Sequence, residues 1–578
     1  MAPNSVKIPL GDYVFKRIVS LGVHSVFGVP GDFNLSFLEC LYDVPEIHWY
    51  GTCNELNGAY AADGYSRKIG NKFGVLATTM GVGELSAMNG ICGSFAEYVP
   101  ILHIVGTTPI SAKKNGLANH HLITSMCPLQ KNDHYVYQKM AATVSCNVTS
   151  IEDLREAPSQ IDALIRDILT EKKPGYLYIP CDLATAPVDA TNLTTIPGAS
   201  FYETQPRGSA HVINEIADLA LEKIYKATKP CVLGDGLVDR FGMTNQLRQF
   251  VERTKLPNCS NPMGKSLLDE QNDYYVGDFI GNESAKQVAA YVRSCDLLLH
   301  FGNFDNEVNS GHFSIHNGFE DKEDNGKSLI IFNHRYIRID SQVFDGYSIE
   351  DILPAMLAKL DISKVPNVEK PNVNASIERV PSSTPISETD VLEEIQHLLQ
   401  PGDTLVVETG SILYGIPDIK LPSNCKLISQ PFYLSIGMGL PCSFGASVAK
   451  KELNEQGRLI LLEGDGAAQM TIQELANYNR PGLSPLIILL NNDGYTVERA
   501  IKGPTREYND IRPNWKWGQI FDTFGLKNYR CKKVIQLEDM HNTLEEFGRD
   551  NSCARMVEVV LGKLDAPWRV NKMLDGYK

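Results

Sequence analysis

Two apolar runs late in the chain each end in groups that can hold a divalent cation. RLILLEGDG closes on Gly464-Asp465-Gly466, and PLIILLNNDG closes on Asn492-Asp493-Gly494. A carboxylate, a side-chain amide and a backbone carbonyl are hard oxygen ligands. They suit Mg2+, which takes few protein ligands and keeps positions for water and phosphate oxygens. Gly464, Gly466, Ala467 and Ala468 keep the first turn narrow, so backbone N–H groups at a following helix start can approach a diphosphate. The pattern predicts a Mg-diphosphate site held by Asp465, Asn492 and the Gly494 carbonyl. The competing account is two ordinary turns, since Gly, Asp and Asn are favoured there anyway. Residue types alone do not name the cofactor.

Those residues need elements to place them. The chain of 578 residues is too long for one core. Stretches rich in proline and small or polar residues, Ala184 to Ser209 and Asp361 to Ser387, read as linkers. Three domains are expected: 1–187, 188–365 and 366–578. Each alternates short β-rich runs such as FGVLATTM, CDLLLHFG and PLIILLNN with helical stretches. Continuous apolar strands between helices are the pattern of buried parallel sheets, so the reading is α/β, three doubly wound domains. MTIQELANYNR becomes a crossover helix between two parallel strands. That places Asp465 and Asn492 in loops at the carboxyl ends of those strands, where open α/β sheets bind ligands.

Composition narrows the partners. Lys and Arg number 54 against 69 Asp and Glu, a net charge of -15, which argues against nucleic acid or an anionic membrane. No apolar run reaches bilayer length, and the N-terminus lacks an apolar signal core. Thirteen cysteines without CxxC spacing favour reduced thiols in the cytoplasm over a disulfide framework or a cysteine zinc site.

GDG followed at this interval by NN resembles the signature of thiamine-diphosphate enzymes, and the likeness covers essentially the whole chain. FGVPGDFN around Asp32, NELNGAYAADGYSR around Glu55, the pair His120-His121 and Glu498 after NNDGYT resemble the 2-oxo acid decarboxylase branch. That branch includes pyruvate, indolepyruvate and phenylpyruvate decarboxylases. Taken singly, each residue has a plain reading: a turn aspartate, a satisfied helix carboxylate, surface histidines, a solvated glutamate. Their joint occurrence in family order reverses those odds. The resemblance implies thiamine diphosphate and Mg2+ as cofactors. Glu55 would bond the ring nitrogen of the aminopyrimidine, while Asp32, His120, His121 and Glu498 supply and relay protons. Thr409 and Ile436 would contact the cofactor beside Gly464, Asp465, Gly466, Ala467 and Asn492, with Ile436 propping its bent conformation. A homodimer, or a homotetramer built from it, is implied, with active sites at subunit interfaces.

Within the branch, NPMGKSLLDE, ISQPFYLSIGMGLP and YTVERAIKGPTREYNDI resemble phenylpyruvate decarboxylases of amino-acid catabolism. Val308 falls where pyruvate-specific members have a phenylalanine, which would open space for a larger side chain. Leu413 and Leu434 stand where those members often carry smaller residues, so string similarity decides. The implied activity is decarboxylation of aromatic or branched 2-oxo acids to aldehydes and CO2. Pyruvate decarboxylation and a non-catalytic, cofactor-sensing regulator are the alternatives. The segment after His121 is longer than in pyruvate enzymes and is expected to reshape an active-site lid. No thiol-mediated activation is expected, because GDGLVDRFG carries no cysteine. The middle block shows no dinucleotide fingerprint.

Overall fold

The computed structural model describes residues 6–127, 129–203, 206–320, 326–373, 377–511 and 515–575. The chain divides into two compact units. The first comprises residues 1–204, 440–455 and 471–483, and the second comprises 205–439, 456–470 and 484–578.

The first unit is built on six parallel strands: β1 (Ser25–Gly28), β2 (His48–Gly51), β3 (Gly74–Thr79), β4 (Ile101–Thr107), β5 (Asn147–Ser150) and β6 (Gly175–Pro180), in the order β2-β1-β3-β4-β6-β5. β3, β4 and β6 are buried along their whole length, the reason their sequences run apolar without alternation. The helix Glu55–Ile69 opens on Asn54, whose side chain accepts the Asn57 N–H. It meets the later helix Gly439–Glu452 through glycines. A Cβ at Gly64 would stand 2.0 Å from the Cys442 carbonyl oxygen, and one at Gly445 would stand 1.8 Å from that of Ala61. Two helix backbones approach this closely only where side chains are absent.

The expected linker from Ala184 is ordered on this unit instead. Pro187–Asp189 pairs antiparallel with Lys7–Pro9, and Thr191–Thr195 forms a short helix. Buried Arg17, paired with Asp162 at 2.8 Å, donates to the Asn192 and Ile196 carbonyls. A buried guanidinium needs several acceptors, and this segment supplies two of them while Asp162 supplies the others.

The second unit carries two sheets. The seven-stranded one contains β7 (Pro230–Gly234), β8 (Asn258–Ser260), β9 (Tyr275–Asp278), β10 (Leu297–Phe301), β11 (Ser328–Phe332), β12 (Tyr336–Ile339) and β13 (Gln342–Asp345), in the order β9-β8-β7-β10-β11-β12-β13. Its first five positions are parallel, and an antiparallel meander closes the edge. The crevice beyond β7 and β10, where strand order reverses, is filled by the protein's own side chains. Asp235 accepts from the Phe304 N–H and from Asn309, and it bonds His300, which in turn bonds His316.

The six-stranded sheet contains β14 (Thr404–Val407), β15 (Lys426–Ile428), β16 (Leu459–Gly464), β17 (Leu486–Asn491), β18 (Tyr529–Val534) and β19 (Ala554–Val560). All pairs are parallel, in the order β15-β14-β16-β17-β19-β18. Strand order reverses between β14 and β16, so the open crevice of this sheet lies beyond Val407 and Gly464. All three sheets are thus of the doubly wound α/β type.

Candidate active site

The crevice beyond β14 and β16 opens into a cavity of about 250 Å3 lined by Thr409, Ile436, Asp465, Asn492, Gly494 and Glu498 among others. Asp465 was expected in a loop; it is the first residue of the helix Asp465–Thr471, directly after β16. The helix can begin there because the Asp465 carboxylate accepts the Gly466 N–H at 2.7 Å, satisfying one of the donors a helix start leaves open. Nor does MTIQELANYNR form one helix: the α-helix stops at Thr471 and a 3-10 segment, Ile472–Asn477, follows. Asn492 lies one residue past β17, the strand beside β16.

Three buried oxygens in this cavity have no hydrogen-bond partner among the described residues: Asp465 Oδ2, Asn492 Oδ1 and Thr409 Oγ1. Unpaired buried oxygens are costly and call for a partner outside the chain. Asp465 is 1% exposed, and burial pushes its carboxyl up to about 7. A cation beside it would offset that desolvation. A Cβ at Gly464 or Gly410 would meet nothing within 4 Å, so both leave open space in the crevice. The donor set fits a hard cation carrying phosphate oxygens.

The loop after β17 is braced by a residue that sequence reasoning missed. Arg499, 1% exposed, donates to the carbonyls of Asn492, Asp493 and Lys563 and pairs with Asp510. Gly494 has φ +139°, and a Cβ there would lie 2.2 Å from the Asn509 carbonyl oxygen. This position requires glycine, which keeps the Asn492–Gly494 turn in one shape. Glu498 lies on the next helix, Thr496–Ile501, exposed and lining the cavity.

A pair of buried carboxylates was also missed. Glu408 accepts the N–H groups of Thr409 and Gly439 at 2.7 and 2.6 Å, while Glu463 finds no other donor among the described residues. A Cβ at Gly439 would sit 2.9 Å from an oxygen of each. Burial pushes Glu408 up to about 7; burial and the charge of Glu408 push Glu463 well above the usual range. Two such groups share a proton rather than ionise together.

Leu434 and Ile436 line the cavity, whereas Val308 and Leu413 do not; Leu413 belongs to the core of this sheet. Leu434 holds a left-handed backbone, φ +55°, and the next residue donates its N–H to Gln430. The volume argument built on Val308 therefore does not concern this cavity wall.

The first unit gathers the other expected residues over one floor. Thr79 ends β3, and Gly81 and Gly83 follow it without side chains. A Cβ at Gly83 would lie 3.2 Å from Glu55 Oε1, one at Gly81 would lie 2.4 Å from the His121 carbonyl oxygen, and one at Gly31 would lie 2.7 Å from Thr79 Cβ. Glu55 is the first residue of its helix and half-buried. His120 Nε2 lies 2.5 Å from Asp32 Oδ2. Phe33 stacks on His120 with ring centroids 4.8 Å apart and meets His121 edge-on. His121 has φ +65° and its carbonyl accepts the Tyr137 hydroxyl. The expected lid segment includes Pro128, which lies outside the described residues; the residues flanking it are largely exposed.

Comparisons with known proteins identify the three domains. Residues 8–131 match the family model for the thiamine pyrophosphate enzyme N-terminal TPP binding domain, 217–357 the central domain, and 419–559 the C-terminal TPP binding domain. A transaminated amino acid decarboxylase of Saccharomyces cerevisiae is 39% identical, covering 99% of this chain and 95% of that protein. Pyruvate decarboxylases of Kluyveromyces marxianus and Kluyveromyces lactis are each 36% identical, covering 97% of this chain and 96% and 97% of theirs.

Proposed function

Because the chain belongs to the thiamine pyrophosphate enzymes, in their 2-oxo acid decarboxylase branch, we propose that it binds thiamine diphosphate with Mg2+ and decarboxylates aromatic and branched 2-oxo acids to aldehydes and CO2. The observation that carries the cofactor reading is the trio of unpaired buried oxygens on Asp465, Asn492 and Thr409. Asp465, Asn492 and the Gly494 carbonyl would hold the cation, and the N–H of Ala467 would face the diphosphate across the turn of Gly464 and Gly466. Ile436 and Thr409 would support the rings. When bound, the cofactor supplies a nucleophilic carbon and an electron sink for the departing CO2.

The chain's own residues do the rest. Glu55 would hold the proton that the aminopyrimidine ring nitrogen requires. His120 Nε2 and Asp32 Oδ2 are already within proton-transfer distance of each other. His121, pinned by Phe33 and Tyr137, and Glu498, at the cavity mouth, complete the relay. A homodimer is proposed as the minimal active form, the pyrimidine-binding residues of one protomer and the diphosphate-binding residues of its partner completing a site, with a homotetramer built from it. All 13 cysteines are free, which fits the reducing cytoplasmic setting proposed for the chain. Among the described residues no helix is long and apolar enough to cross a membrane.

Preference for large side chains rests on the likeness to the transaminated amino acid decarboxylase. The pyruvate decarboxylases, only slightly less similar, favour a second reading in which pyruvate is the substrate. CO2 release measured with thiamine diphosphate and Mg2+ over 2-oxo acids of increasing size separates them: kcat/KM is expected to be higher for phenylpyruvate than for pyruvate. The reverse order selects the second reading, and no release from any 2-oxo acid leaves a cofactor-sensing protein.

A further inference from the structure

The chain offers two sets of candidate cation ligands of opposite character. Around Asp465 the donors are all oxygen, whereas Asp32, His120 and His121 offer one carboxylate and two imidazoles. One ligand atom from each of the three lies within 4.8 Å of the others, and among the described residues no other His, Cys, Asp or Glu trio converges so closely. Neutral imidazole nitrogens with a carboxylate suit Zn2+, Ni2+ or Cu2+ and do not suit Mg2+.

The rings are already placed. Phe33, 6% exposed, stacks on His120 and meets His121 edge-on, and the two imidazoles stand 4.7 Å apart at 73°. The left-handed backbone of His121 is held by the Tyr137 hydroxyl on its carbonyl. A second ligating side chain therefore costs little ordering entropy to recruit. In the single chain the side chains of His120 and Asp32 are 58% and 50% exposed. Bond lengths of roughly 2.0–2.2 Å to nitrogen and oxygen put tetrahedral ligand atoms about 3.3 Å apart. His120 Nε2 and Asp32 Oδ2, now at 2.5 Å, need only part by less than about 1 Å through side-chain rotation.

We propose that Asp32, His120 and His121 form a binding site for a borderline transition-metal cation, Zn2+ foremost, which replaces the Asp32–His120 hydrogen bond and leaves its remaining positions to water. The bridging proton passes to solvent, and no redox change occurs. Metal binding stands on this geometry alone. That the ion inhibits turnover rests additionally on the proton-relay role proposed above.

The test uses the full-length protein saturated with thiamine diphosphate and Mg2+. Co2+ is titrated as the spectroscopic probe and then displaced by Zn2+. One equivalent with visible d–d absorption is expected. Changes outside the ligand sphere alone cost roughly 10–100-fold in metal affinity, so His120→Ala and His121→Ala should each weaken binding at least tenfold. Asp465→Asn should leave the Co2+ spectrum unchanged. CO2 release should fall in step with Zn2+ occupancy. Wild-type Co2+ affinity in both histidine variants, a thiolate charge-transfer band, or loss of the signal in Asp465→Asn would each overturn the site. A normal Co2+ titration on a protein that releases no CO2 from any 2-oxo acid would uphold the site and reject the decarboxylase reading.

Discussion

Glu388→Gln should make the six-stranded sheet's surroundings less sensitive to alkaline pH, and the size of the effect follows from where Glu388 sits. It is the first residue of the helix Glu388–Leu398 and fully buried. One carboxyl oxygen accepts the Ser411 hydroxyl, the other has no partner among the described residues, and the Glu388 N–H donates to Asp565. Burial pushes the carboxyl from 4.5 up to about 8; the Ser411 bond opposes that rise and the Asp565 charge adds to it. A raised carboxyl pKa means the folded state keeps its proton where the unfolded state has lost it. Stability is then fully present below about pH 4.5 and is lost as pH climbs toward about 8. At about 1.4 kcal/mol per pH unit, the loss between pH 5 and 8 is about 4 kcal/mol. Glutamine keeps an acceptor for Ser411 and cannot ionise. Native-state hydrogen exchange of the helix amides reads the local opening free energy. Measured from pH 5 to 8.5, the variant-minus-wild-type difference should grow steadily and level off near pH 8, with Asp565 common to both proteins. A difference that stays constant with pH would refute the assignment of a buried, protonated Glu388.

Three further changes test other parts of the structure. Gly64→Ala forces a methyl to within 2.0 Å of the Cys442 carbonyl oxygen, so it should cost about 3 kcal/mol or more, read as a lowered thermal midpoint of the apo protein. Arg499→Met should weaken Mg2+ and thiamine diphosphate binding roughly tenfold or more by unbracing Asn492, and Arg499→Lys should not restore it, since one ammonium cannot reproduce the forked contacts to three carbonyls; calorimetric titration measures both. Glu55→Gln should bind the cofactor with a folded chain yet lower kcat at least ~100-fold, as loss of a proton-transfer group does. An unaltered kcat would remove Glu55 from the chemistry.

The ends of the strands were legible because the Gly, Asn and Asp that terminate them act locally. The apolar runs before Gly464 and Asn492 are continuous because their strands are buried on both faces, and that burial follows from sheet order. Asp465 was misplaced by one element: its side chain caps its own helix start, a contact between neighbours that glycine-rich turn statistics do not reveal. The Ala184 segment looked like a linker because proline and threonine content says nothing about the buried Arg17 that recruits its carbonyls.

The sequence by itself determined the chemical inventory: which positions carry carboxylates, imidazoles and amides, and which strand ends present them, since periodicity and turn propensity act over a few residues. Only the tertiary structure decided which of them meet. Glu408 and Glu463 face each other because β14 and β16 are neighbours at the point where strand order reverses, and Arg499 braces Asn492 because the chain folds back after β17. Those encounters depend on sheet order and on desolvation, which belong to the whole fold and to no stretch of residues within it.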